Sequence, residues 1–296
     1  MTTLVMRNPT CTAPAGEIPV RTAAEKLASH AVAALIDEAT LTPKPGLVDL
    51  RSRGAHHDLD WALMCHSAWT LHSGFLAMAA AGECTHDPIA LRERLGAIGR
   101  ESEATMMRAT GGVNTHRGAI WALGLLVGAA AQDCTALAPA TVAARAGAIA
   151  RCADKFAPAM TGNKGEHACR KYGVGGARGQ AQADFPHVID IALPCLYQSR
   201  ARGESENAAR LNALLAIIAH LDDTCLLSRG GQGALGAVQA GAFRVLEAGG
   251  ADSPSGRMAL QKLENEVLVL HVSPGGAADL LAATLFLDRI SSGPAN

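Results

Sequence analysis

Asn114, Thr115, His116 and Arg117 stand in a row directly before a run of apolar residues, Ala119 to Ala131, with Gly111 and Gly112 just ahead of them. A run of that kind reads as a helix buried on nearly every side. Its first N–H groups have no partner within the helix, and they carry the positive end of the helix dipole. Asn114 or Thr115 can serve as a simple cap. With Arg117 added, the same helix end becomes a candidate anion site.

Other polar blocks repeat the device. In "TPKPGLVDLRSRGAHHDLD", residues 42–60, Pro43 and Pro45 restrain the backbone on both sides of Lys44, which suits a fixed phosphate contact. Asp49, His56, His57, Asp58 and Asp60 follow within a few residues and supply carboxylates for Mg²⁺ and an imidazole for proton transfer. In "GVGGARGQA" Arg178 lies among glycines that admit close backbone approach to a ligand, and its planar fork matches phosphate oxygens. In "HLDDTCLLSRGGQGALG" Asp222 and Asp223 are adjacent, so a cation or Arg229 must compensate them. Asp223 is expected either to ligate Mg²⁺ or to be a buried partner of Arg229. Gly231 to Gly236 spell G-x-G-x-x-G, but no strand precedes them and a dinucleotide fold is not indicated. "HVSPGGAADLLA" again places a Pro-Gly-Gly turn before a buried helix, with Asp279 near its start. Cationic helix ends, glycine-rich loops and several carboxylates fit an enzyme that handles a polyphosphate with Mg²⁺.

The elements that must position these blocks are helical. Hydrophobic residues make up 49% of the 296 but aromatic ones only 3%, and the abundant alanine favours closely packed helices over strands. No segment alternates with period two between turns. The fold class expected is all-α, with one catalytic domain over residues 22–290 behind a loose tail, residues 1–21. Helices are expected at about 22–39, 60–81, 88–109, 115–131, 139–156, 186–201, 205–227, 232–248, 255–270 and 276–290. Residues 161–184 read as one long glycine-rich loop, a class that is usually functional or disordered.

A formal net charge of −1 argues against nucleic acid or an anionic membrane surface as partner. The apolar run 119–131 is too short to span a bilayer, and residues 1–20 lack the pattern of a secretory signal. Eight cysteines without C-x-x-C argue against zinc and against a disulfide framework, and a cytoplasmic location is expected. The composition admits a homo-oligomer.

Taken in order, "TPKPGLVD", "GAHHDLD", "GVNTHRGAI", "GARGQA", "DFPHVIDIALP", "DDTCLLSRGG" and "SPGGAADLLA" closely resemble the triphosphoribosyl-dephospho-CoA synthase family over residues 22–290. Overall similarity is greater to its malonate decarboxylase (MdcB-type) branch than to the citrate lyase branch. Cys225 and Ser228 depart from the Asn and His of the family's "DTNLLHRGG"-like block. The resemblance implies transfer of the 5-triphosphoribosyl group of ATP to the 2′-hydroxyl of 3′-dephospho-CoA, with release of adenine. The product would pass to a carrier-protein transferase. On these positions the roles expected are Lys44, Arg117, Arg178 and Arg229 for the triphosphate, and Asp49 and Asp223 for Mg²⁺. His56 and Asp58 are expected to move protons, and Asn114 and His116 to orient the sugars. An ADP-ribose hydrolase, a prenyl-diphosphate enzyme and a helical scaffold are the competing classes. The D-D-x-x-D spacing of the second is absent, and a scaffold has no use for cations at so many glycine-rich junctions.

Overall fold

A computed structural model describes residues 22–292, and the tail expected over 1–21 lies outside them. The described residues are all-α, without strands. No single helix among them is long and apolar enough to cross a membrane. In chain order the helices are α1 (Ala23–Thr40), α2 (Trp61–Thr70), α3 (His72–Cys84), α4 (Pro88–Ala109), α5 (Arg117–Ala131), α6 (Pro139–Arg151), α7 (Lys164–Tyr172) and α8 (Gly176–Gln182). A π-helical turn, His187–Ala192, leads into α9 (Leu193–Ala201), followed by α10 (Glu206–His220), α11 (Thr224–Glu247), α12 (Pro254–Val269) and α13 (Gly275–Ser291).

The apolar run 119–131 lies in α5, at the centre of the fold. Its small residues let α1, α3, α4, α6, α8 and α13 pack around it. A Cβ on Gly82 of α3 would fall 2.2 Å from the carbonyl oxygen of Gly128, so glycine is required where these two helices cross. α13 runs beside α1 and α5, and every residue from Leu280 to Leu287 is buried. α10 forms a second apolar centre against α9, α11 and α13.

Several expected boundaries need correction. Residues 60–81 are two helices, because the Leu71 N–H bonds three residues back to Ala68 and tightens the chain there. The stretch 161–184 is not one loop. Asn163 caps α7 through the Glu166 N–H, the Glu166 carboxylate accepts the N–H groups of Thr161 and Gly162, and Gly173 ends the helix at φ 71°. The helices expected at 205–227 and 232–248 meet differently. α10 stops at His220, Asp223 opens α11, and α11 continues through a break at Gly231 (φ 67°, ψ −166°).

Candidate active site

Helix beginnings gather the polar blocks. Asp223 lies at the start of α11 and its Oδ1 accepts the N–H groups of Cys225 and Leu226, while Oδ2 accepts the Ala277 N–H in the first turn of α13 at 2.9 Å. One carboxylate thus ties two helix N-termini together. α5 joins them through Gly118, where a Cβ would fall 2.0 Å from Oδ2 of Asp279. The starts of α7 and α8 lie against Thr224, since Cβ atoms on Gly165 and Gly176 would fall 3.6 Å and 3.3 Å from its side chain. Five helices therefore begin around one region and turn the positive ends of their dipoles toward it, with the Cys225, Leu226 and Ala277 N–H groups taken up by Asp223, that of Arg117 by Asn114 and that of Glu166 by Asn163. The loop of residues 42–56 closes it, with His56 Nε2 3.0 Å from Ser273 Oγ immediately before α13.

The charges inside are mostly negative. Asp279 is part-buried, and burial together with the charges of Glu38 and Asp223 raises its carboxyl well above the usual carboxylate range; the Ala119 N–H opposes this. Glu38 is buried at the C-terminal end of α1 and ion-pairs with Lys44, whose Nζ also donates to the Glu38 carbonyl at 2.6 Å. His116, 3% exposed, hydrogen-bonds Ser67 through Nδ1, while its Nε2 has no partner. Burial, then the nearby Lys44 charge, lowers its pKa to about 3, so the ring is neutral.

His56 is held neutral as well. Burial and the Arg229 guanidinium lower its pKa to about 4, against a weaker opposing influence of Asp58. Arg229 reaches Nδ1 at 3.5 Å and can only donate, so Nδ1 is the acceptor nitrogen and Nε2 carries the hydrogen that goes to Ser273. Asp58 is exposed, 3.9 Å from the same Nδ1. Arg229 and Arg178 are both exposed at the rim.

Several expectations are corrected by this geometry. Lys44 is not a loop lysine reaching for phosphate: it is 2% exposed and its charge is matched by Glu38. Asp49 is not open to a metal. Its two oxygens accept the N–H groups of Lys44, Arg51 and Ser52, the Thr42 hydroxyl and the Arg51 guanidinium, which folds the 42–52 loop around it. Asp223 is likewise engaged by backbone, and it is neither a partner of Arg229 nor open to Mg²⁺. Asn114 accepts the Arg117 N–H at 3.2 Å, which is a cap, and His116 is buried behind it. Arg117 pairs with Glu103 at 3.1 Å. Ser228 bonds within its own helix, and burial pushes the Cys225 thiol up.

Glu38 was missed, although its signal was present. It continues the spacing of Leu27, Ala31 and Leu35 along the buried stripe of α1, where a carboxylate requires an explanation. Asp279 stands in the same position relative to the apolar face of α13.

The role now assigned to Asp223 has a direct test. Asp223→Asn places an NH₂ group against backbone N–H donors, which should cost ~1–3 kcal/mol of stability. Thermal unfolding without ligand should show the loss, and added Mg²⁺ should not restore activity. Normal melting with activity recovered by Mg²⁺ would return Asp223 to a metal site.

Comparisons with known proteins point in one direction. Residues 24–296 match the family described as "CitG: ATP:dephospho-CoA triphosphoribosyl transferase". A Klebsiella pneumoniae protein named 2-(5''-triphosphoribosyl)-3'-dephosphocoenzyme-A synthase is 56% identical over 265 residues, 90% of this chain and 94% of its own. Proteins given the same name with the prefix "probable" are 56% identical in Stutzerimonas stutzeri (91% and 93% of the two chains) and 55% identical in Azotobacter vinelandii (92% and 94%). No solved structure matches significantly.

Proposed function

Because the chain belongs to the CitG family of ATP:dephospho-CoA triphosphoribosyl transferases, we propose that the junction of helix beginnings around Asp279 and His56 is where its transfer reaction takes place. The observation that carries this reading is the gathering of five helix N-termini over a carboxyl raised well above the usual carboxylate range and an imidazole held neutral. The positive helix ends and Arg229 suit the triphosphate, and the two titratable groups suit an acid and a base.

The chemistry is glycosyl transfer. The bond between C1′ of the ATP ribose and adenine breaks, and the 2′-oxygen of 3′-dephospho-CoA bonds to that carbon. Asp279 gives its proton to the departing adenine, and Nδ1 of His56 takes the proton of the 2′-hydroxyl. A polyphosphate beside Arg229 offsets the charge that lowers His56, so donor binding makes the base stronger. Glu38 keeps a negative charge near Asp279, which holds the proton there until it is needed and favours an oxocarbenium-like centre. Mg²⁺ belongs to this reading as a companion of the triphosphate, whose oxygens and waters would supply its ligands. Asp49 and Asp223 do not fit as its holders, because N–H donors occupy their oxygens.

We place the product in the malonate decarboxylase branch, for transfer to a carrier protein, on the overall resemblance of the sequence. Purified protein given Mg²⁺-ATP and 3′-dephospho-CoA should release one adenine per acceptor consumed. Adenine release that ignores the acceptor would make the protein a hydrolase, and ADP would indicate phosphoryl transfer. Deleting the gene in the organism that makes the protein should abolish growth on malonate and spare citrate fermentation; the reverse would assign the citrate branch.

A further inference from the structure

Outside the junction just described, Arg92 poses a question. It lies in the first half of α4, 3% exposed, with its guanidinium 4.9 Å from the centre of the Trp121 ring and its Nε–H without a hydrogen-bond partner. A buried guanidinium with an unused donor is costly unless something supplies an acceptor. The carboxylate beside it is Asp154, 3.4 Å from Arg92 and 2.8 Å from Arg100, about two turns further along α4. The start of α8 is fixed beside Trp121, which donates its indole N–H to the Ala177 carbonyl at 3.1 Å. Arg178, the next residue of α8, adds a further positive charge close enough to act on Arg92. Lys155 nearby is matched by Glu93 and contributes no excess charge.

Arg92 and Arg100 share the one carboxylate of Asp154, which leaves one positive charge uncompensated, and Arg178, with no ion pair among the described residues, adds a second. A triphosphate carries about four negative charges and finds its complement at the helix beginnings, whereas a diphosphate diester carries about two. We propose that Arg92, Arg100 and Arg178, with Trp121 as the wall that orients Arg92, form a subsite for the diphosphate bridge of the acceptor nucleotide. Arg100 and Arg178 reach the diphosphate from the surface, and the Arg92 Nε–H completes its hydrogen bonding from below. Asp154 keeps the guanidiniums spread and prevents their mutual repulsion from unfolding this edge of α4. The subsite rests on the acceptor named above, and it deepens that reading by giving the acceptor its own anchor, separate from the donor's.

Isothermal titration of the full chain with 3′-dephospho-CoA and, separately, with ATP tests the assignment without turnover. Arg178→Gln alters an exposed side chain with no ion pair among the described residues, so folding should be unchanged. It should weaken 3′-dephospho-CoA binding roughly tenfold, and Arg100→Gln should do the same, while ATP affinity moves less than about threefold. Inorganic pyrophosphate, used as the bare diphosphate probe, should compete with the acceptor in the unaltered protein and lose that effect in Arg178→Gln. Unchanged acceptor affinity in Arg178→Gln overturns the proposal. So does an equal loss for ATP and acceptor, which would hand these arginines to the donor triphosphate. Selective loss of acceptor binding in a protein that releases no adenine would keep the subsite and reject the reaction.

Discussion

Asp279→Asn should lower kcat by about 10²–10⁴ while leaving the fold and ATP affinity close to normal. The substitution keeps the shape of the side chain and removes the proton it can give. Asp279 holds that proton because burial and the neighbouring charges of Glu38 and Asp223 raise its carboxyl well above the usual range. The ionised form becomes prevalent only when the pH exceeds this raised pKa, so turnover should fall on the alkaline side. In Asp279→Asn that limb should vanish from what activity remains. Rates of adenine release across pH, together with ATP titrations, check both statements. A variant with near-normal kcat and an unchanged alkaline limb would remove Asp279 from the chemistry and leave His56 as the group to examine.

Lys44→Met should destabilise the protein by about 3–5 kcal/mol, because it leaves the Glu38 carboxylate buried without its cation. The affected ion pair lies between the end of α1 and the loop that closes the site. A phosphate-binding surface lysine would behave in the opposite way, with normal stability and weakened ATP binding. The double variant Glu38→Gln with Lys44→Met removes both charges and should recover most of the stability, since the single change is costly through the orphaned charge. Denaturant unfolding of the unliganded protein at neutral pH measures the set. A loss below about 1 kcal/mol in Lys44→Met would show that Glu38 finds another partner or protonates at little cost.

These two residues also mark what was legible in advance. The prolines around Lys44 rightly drew attention to a restrained lysine, but restraint has two uses, and local sequence does not say whether the ammonium turns outward to a ligand or inward to a carboxylate. Glu38 lies six residues earlier on a helix that pattern alone identified, and nothing in the spacing states that the chain doubles back to bring the two together. The short helix α7 was legible in a stricter sense: Asn163, Glu166 and Gly173 are its start and stop signals, and the glycine content of the whole stretch obscured them.

By itself the sequence determined the all-α class, the central apolar helix, the helix junctions that collect the polar residues, and the family, because periodicity, capping residues and ordered motifs are local properties carried by a few neighbouring side chains. Tertiary structure alone decided which charges face each other. Asp223 became a clasp between α11 and α13, Asp49 the centre of a folded loop, and Asp279 a carboxyl raised well above its usual range, through contacts as distant as Asp223 with Ala277. A carboxylate's chemistry depends on whether N–H donors, cations, other anions or water surround it, and only the packing of remote helices sets that environment.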